Sequence, residues 1–561
     1  MMAHEQPAVL DAGTRDDQDH PPAPRPRRSP RRLLLPLLVA ALLAQMAVAM
    51  VTTAVAQTPT IDEPVYVGTA ADYLREHRLR LNPEHPPLGK LVIAAGVALA
   101  DPHVDTGFRG DQGAFGRHLL YESGNDPWRL MLWARLPVIA LTLLCGLVVF
   151  AFAREVAGAA AGAVALALYT FSPDLVAHGS LATLDVPAAG LTLTSVWLLW
   201  RARERPRPWP VLVGAGAAFG AAAAVKMSVL PAFPVVLALA AVSVSRSGAP
   251  RGRAAGARAA RGTAVVAVAA VAVVWLSYLA VDPLLRWSPG DQVPAVHGLR
   301  GLLVDLMPFP EAYRDGMRVQ FGLENRPWEG FLFGRLYTGS LWYYLPAALL
   351  VKTPLGMLAL WAAGAVVLLR SARLRPAAPY VLVPPAVLLL AAMQGTRDFG
   401  TRYALFVPMF LAVAAGCVLV ARARWAVVAA GALVLCTAVS SVRTYPFYLP
   451  YSNEAFGGPA QTRLRLHDSN VDWGQDLGRL ADRLRERYPG ERVWLVYKGS
   501  GVPSYYGIDA GDPRTVPVRE VHGLLVVSDS AAAKARGRLA ELLDSSRPID
   551  DVGHSITVYR R

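Results

Sequence analysis

Two acids, Asp62 and Glu63, stand side by side just after the first long apolar run, and Pro64 stiffens the backbone behind them. Glu84, His85 and Lys90 follow in the same polar stretch. An acid in a loop is by default a solvated charge. An ionised carboxylate held beside a hydroxyl is instead a general base, and nearby cations steady an anion that departs. Four cations suit that second task. Arg135, in Trp133-Ala134-Arg135-Leu136-Pro137, lies within an apolar run, where a charge is costly and either functional or snorkelling to the surface. Arg402 stands at the outer start of a later run, Lys226 is isolated between two short apolar runs, and Lys90 borders another. Asp185 heads a run, where an N-cap is the plain alternative to a cavity acid. Trp342, Tyr343 and Tyr344 head one more, either as an interfacial belt or as a stacking surface.

The elements that must position these groups are membrane helices. Of 561 residues 53% are hydrophobic and only 17% charged, against about a quarter in a soluble protein. Several runs reach the roughly 20 residues that span a bilayer. The net charge of +14 sits in short arginine clusters between apolar runs, as the positive-inside rule requires, so no nucleic-acid partner is implied. Cys145, Cys417 and Cys436 all fall inside apolar runs, without zinc or disulfide spacing. Residues 1–32 read as a disordered cytoplasmic tail, and residues 33–442 as a transmembrane domain of about 11 helices. Two long outer loops, 56–127 and 282–340, interrupt it. In the first loop the apolar patch 88–100 is expected to lie in the interface. Residues 443–561 form a small extracytoplasmic domain with helix and strand signals, an α/β fold. This topology puts the N-terminus inside, the C-terminus outside and every arginine cluster on the inner face of a cell membrane.

The Asp-Glu pair after helix one, followed by His-Pro-Pro-Leu-Gly-Lys at 85–90, resembles the protein O-mannosyltransferases of glycosyltransferase family 39. The wider organisation resembles the lipid A aminoarabinose transferases, also of the GT-C superfamily. Gly339-Ser340-Leu341-Trp342-Tyr343-Tyr344, Lys352-Thr353-Pro354, Gly400-Thr401-Arg402-Tyr403 and the run 468–477 carry the resemblance onward. It implies a GT-C-like fold and transfer of a sugar, mannose by default, from a polyprenyl-phosphate donor to an acceptor hydroxyl outside the membrane, with inversion. By the same resemblance Asp62 is the base, and Glu63 places the acceptor or tunes Asp62. Arg135, Arg402, Lys90 and Lys226 hold the donor phosphate, while Glu84, His85, Asp185 and Tyr343 line the substrate cavity. A divalent cation is left open, since no ligand spacing demands one. The chain has no room for the β-trefoil domain of the eukaryotic enzymes, and Glu84 stands where those often have Asp. Protein, lipid and cell-wall glycan acceptors therefore all remain, and a transporter or a non-catalytic scaffold is the reading from another class.

Overall fold

A computed structural model describes residues 31–246, 253–287, 293–421 and 423–561. Most of the expected tail, part of the arginine-rich loop 246–261 and Arg422 lie outside the described residues. The fold is mostly helical. Six helices among the described residues are long and apolar enough to cross a membrane, or eight if each of two bent pairs is one span. They include Leu33–Ala56, Pro127–Ala157, Met227–Ser245, Arg253–Val281, Arg375–Ala392 and Arg424–Thr444. The remaining runs form shorter apolar helices such as Trp209–Val225 and Phe406–Ala421, so helical segments are clear where spans were expected but a count of eleven is not reached by length.

Breaks between helices follow local chemistry. Asp126 caps Pro127–Ala157, its carboxylate accepting from the backbone N–H groups of Trp128 and Arg129. Thr353 is extended because it precedes Pro354, and the helices on either side, Tyr344–Lys352 and Leu355–Arg370, bend by 118°. The single helix expected from 341 to 370 is thus two. Lys226 is likewise extended, between Trp209–Val225 and the 3₁₀ turn Met227–Ala232, as its isolated charge suggested.

The two long loops, 56–127 and 282–340, are more structured than their composition implied. The first holds helices Glu63–Glu76, Pro87–Ala100 and Gln112–Tyr121. Pro87–Ala100 is packed into the bundle instead of lying free in the interface. At Gly96 an added Cβ would sit 1.8 Å from the Trp133 carbonyl, so only glycine permits that approach. The second loop folds into helices Gly298–Asp305 and Glu311–Glu324, then a hairpin of β1 (Glu329–Leu332) and β2 (Arg335–Thr338).

The last part of the chain forms a mixed five-stranded sheet. Its strands are β3 (Val493–Val496), β4 (Ala510–Gly511), β5 (Leu524–Ser528), β6 (Arg547–Val552) and β7 (Ile556–Arg560), in the order β4-β3-β5-β7-β6. The β3–β4 and β3–β5 pairs are parallel, the β5–β7 and β6–β7 pairs antiparallel. Alternation along β5 sends Leu524 and Val526 to one face and Leu525 and Val527 to the other. Leu477, Leu480 and Leu484 of helix Leu477–Arg487 cover the first face.

Candidate active site

Asp62 is the residue before helix Glu63–Glu76. Its side chain makes no capping bond, so the carboxylate is free to turn outward. Oδ2 accepts from Nη1 of Arg402 at 2.6 Å, and the Asp62 side chain stays 28% exposed, at the wall of a cavity of about 910 Å³. Glu63, one residue on, turns the opposite way and is fully buried. It accepts from Arg135 Nε (2.8 Å) and Nη2 (2.7 Å), from Thr60 N and Oγ1, and from Ala182 N. Burial pushes its carboxyl up, but the Arg135 charge and these hydrogen bonds outweigh burial and hold it below its ordinary range.

On the far wall Lys226 pairs with Asp185. Lys226 Nζ lies 5.1 Å from the Tyr403 ring centroid and the Arg402 guanidinium 5.0 Å from the same centroid, so two cations share one aromatic platform. Arg402 also lies 4.4 Å over Trp473, which is almost wholly buried. One donor of Arg402, Nε, is buried without a hydrogen-bond partner. The resting cavity therefore contains two acid–cation pairs, Asp62–Arg402 and Asp185–Lys226, whose cations face common ground.

Residues 468–476 hold this arrangement in place. Thr58 N donates to Gln475 O and Ile61 N to Trp473 O, both at 3.0 Å, so the strand-like approach to Asp62 is pinned by the distant run. Thr58 Oγ1 adds a bond to Gly474 O across 416 residues. On its other side the run grips the segment before Arg402. Ser469 N donates to Phe399 O at 3.1 Å, and Asn470 Oδ1 accepts from Thr401 N at 3.1 Å. Gly400 lies between them at φ +150°, and a Cβ there would meet Ser469 Oγ at 2.2 Å. Lys352, of the Lys-Thr-Pro motif, is buried and donates to the Asn470 and Leu449 carbonyls.

Several expected site residues sit elsewhere. Arg135 spends its donors on Glu63 and on the carbonyls of Ala54, Gln57 and Thr58, and it does not line the cavity. Glu63 is correspondingly turned from any acceptor. Lys90 Nζ is buried and donates to Asn82 O, Asn82 Oδ1 and His85 O, which rivets the 82–90 turn and leaves no donor toward the cavity. Tyr343 is exposed against Trp342, outside the cavity wall. Asp62, Glu84, His85, Asp185, Lys226 and Arg402 do meet on one cavity. Burial and the charges of Lys226 and Lys90 push His85 well below the usual imidazole range, so it is neutral at pH 7. Among the described residues no group of three His, Cys, Asp or Glu could hold a metal ion.

Sequence reading missed Trp473, Arg397, Gln320 and Glu324. The first lay in the run 468–477, which carried the resemblance but was given no site role, and the other three lie in segments taken as plain loops. Gln394-Gly395-Thr396-Arg397 beside an apolar run was the one available signal.

Residues 39–282 match the family model for dolichyl-phosphate-mannose-protein mannosyltransferase. The matched stretch carries Asp62, Glu84, His85, Asp185 and Lys226 and ends before Arg402. Among solved structures the chain is similar to ArnT from Cupriavidus metallidurans in the apo state, at 17% identity over 94% of this chain and 98% of that one, with TM-score 0.47. The same protein bound to undecaprenyl phosphate gives 17% identity, coverages of 93% and 97%, and TM-score 0.48. The S. cerevisiae protein O-mannosyltransferase Pmt1-Pmt2 complex bound to the sugar donor gives 18%, with 45% of this chain and 34% of that one covered, and TM-score 0.37. No curated protein matches the chain.

Proposed function

We propose that this glycosyltransferase moves a sugar from a polyprenyl-phosphate donor to an acceptor hydroxyl on the extracytoplasmic side, with inversion and with Asp62 as general base. The observation that carries the reading is the pairing of Asp62 with Arg402, whose guanidinium shares the Tyr403 platform with Lys226 on one cavity. In the transfer step Asp62 takes the acceptor proton as the acceptor oxygen bonds to the anomeric carbon. The bond from that carbon to the phosphate oxygen breaks, and its electron pair leaves with the phosphate. Lys226 and Arg402 receive that charge, and Asp185 keeps Lys226 in place until they do. Apolar residues such as Ala188, Ala189, Leu388 and Ala392 give the cavity a wall fit for a prenyl chain. Mannose is the default sugar. On this reading residues 33–442 are the transferase domain, with the N-terminus cytoplasmic. Residues 443–561 lie over its outer side, in the cell membrane's extracytoplasmic space.

Asp62→Asn in membranes given a radiolabelled polyprenyl-phosphate sugar tests the assignment. Loss of a positioned base costs roughly 10²–10⁴-fold in rate. Transfer at the wild-type rate would overturn it. The labelled product of the wild type identifies the acceptor as protein, lipid or glycan.

A further inference from the structure

Helix Gly298–Asp305 leaves its leucines uncovered. Leu299 is 72% exposed, Leu302 54%, and Leu306, its C-cap, 70%. Spacings of three and four residues put these side chains on one stripe. The neighbouring stripe, Arg300, Leu303, Val304 and Met307, lines the cavity. One short helix thus stands between the cavity and an apolar outer face. What covers that face follows from where the helix hangs. Trp275 Nε1 donates to the carbonyl of Pro308, two residues past Leu306, at 2.9 Å. Trp275 belongs to the spanning helix Arg253–Val281, six residues, or about 9 Å, before its end. The span stops at Val281, where Asp282 follows and pairs with Arg286. In-plane amphipathic helices bury their apolar face roughly 5–10 Å into the boundary between headgroups and acyl chains, which is the depth of Trp275. Leu276, beside Trp275 on the span, is exposed as well, so the leucine stripe continues a surface that already faces lipid. Asp305, the one acid of the short helix, is neutralised by Arg318 at 2.6 Å.

The cavity reaches the surface through two kinds of lining residue. Asn325 and Gln394 are exposed and polar. Pro231 and Leu303 are exposed and apolar, and Pro231 lies in another spanning segment, Met227–Ser245. An apolar opening carried by a span and by an in-plane helix meets lipid, not water. Arg300 is on that apolar side, one turn from Leu303. Its guanidinium lies 5.3 Å from the Phe321 ring centroid and has no hydrogen bond or ion pair among the described residues. A free planar guanidinium at an apolar mouth suits the phosphate of a membrane lipid. We propose that helix Gly298–Asp305 lies in the plane of the membrane, with Leu299, Leu302 and Leu306 among the acyl chains, and that it forms a side entrance to the cavity where a lipid phosphate passes Arg300 and Leu303. The entrance rests on the reading of the cavity as a donor site, whereas the placement of the helix does not.

Both halves are tested on the full-length protein in liposomes. Cys145 and Cys417 are buried and Cys436 is exposed, so a nitroxide attached in Leu302→Cys on a Cys436→Ser background reports its own surroundings. Dissolved oxygen is expected to relax that label more than a water-soluble nickel chelate does. The reverse is expected for the same label in Arg326→Cys, at an exposed position of the same loop. A signal at Leu302 dominated by the nickel chelate overturns the placement. For the entrance, two glycosyl-phosphate donors are compared, one with a long prenyl chain held in the bilayer and one with a short, water-soluble chain. The triple variant Leu299→Ser, Leu302→Ser, Leu306→Ser is expected to raise KM several-fold for the long donor and to leave its kcat and the short donor unchanged. Arg300→Gln likewise raises KM for the long donor, and Arg300→Lys recovers most of the loss. Equal losses on both donors in the triple variant, or no loss on the long one, overturn the entrance. If the wild type uses neither donor, the donor reading fails and the entrance with it, while the nitroxide result still decides where the helix lies.

Discussion

Asp62 and Glu63 are adjacent, and each is held by an arginine, yet the two pairs do different work. Glu63–Arg135 is sealed, with both side chains essentially without solvent contact and every strong donor of Arg135 engaged. Asp62–Arg402 opens on the cavity, with one carboxylate part-exposed and one guanidinium nitrogen unspent. A carboxylate with all its acceptor positions filled is poor at accepting a proton, so the sealed pair is architecture and the open pair is where chemistry is available. The difference arises from helix geometry. The last residue before a helix and the first within it point in directions far apart, so a Asp-Glu dipeptide at a helix start serves two sides of a wall.

Breaking each pair in turn separates the two roles. Asp62→Asn is expected to give the largest effect on turnover, about 10²–10⁴-fold, with an unchanged melting temperature of the detergent-solubilised protein. Glu63→Gln should behave the other way. It strands Arg135 in a buried site at a cost of about 3–5 kcal/mol, visible as lower folded yield and lower Tm, and the residual folded enzyme keeps its donor KM. Should Glu63→Gln instead fold normally and lose only turnover, the assignment of the two roles is reversed.

Trp473 sharpens the open side. Its ring supports Arg402 and its carbonyl holds Ile61 N, so it positions both halves of the pair. A cation–π contact of this kind contributes about 0.5–2 kcal/mol. Trp473→Leu should therefore raise donor KM several-fold with a smaller change in kcat, and Trp473→Phe should recover most of it. Equal effects on binding of a sugar-free lipid and of a glycosylated donor are expected, because Arg402 is read as a phosphate ligand.

Asp472 supplies a third case, an acid buried with no ion pair among the described residues. Gly474 N and Ser530 N approach it at 3.2 and 3.3 Å. Burial pushes its carboxyl up to about 7, partly opposed by the Lys498 charge. The folded state thus holds a proton that the unfolded state, near 3.9, has already lost. Stability from this residue is greatest below about pH 4 and declines as pH rises from there toward 7. Tm measured from pH 5 to 8 should fall less steeply in Asp472→Asn than in the wild type, an effect on stability with none expected on donor KM.

Much of the site could be read from the chain because charge within or beside apolar runs is expensive and therefore conspicuous. Asp185, Lys226 and Arg402 stood out on that ground, Asp62 and Glu84 through the resemblance, and all five share a cavity. The same ground misled for Arg135 and Lys90. Sequence displays that a charge is buried but not what neutralises it, and Arg135 finds its acid 72 residues away. Helical segments were visible as apolar runs, but one helix was expected across Thr353-Pro354, where the chain bends by 118°. The walls made by Gln320, Glu324 and Arg397 were not visible, because polar residues in an outer loop carry no period that says whether they face water or a cavity.

The backbone bonds from residues 58 and 61 to residues 473–475 also impose an order of events. A ribosome has made Asp62 long before it makes Trp473, so the apolar helices are all synthesised while the Asp62 loop still lacks its partner. A chain cut after Thr444 would insert its hydrophobic segments and show normal abundance, yet hold no anchored carboxylate. On the proposed reading of Asp62, competence is deferred until residues 473–475 have been made.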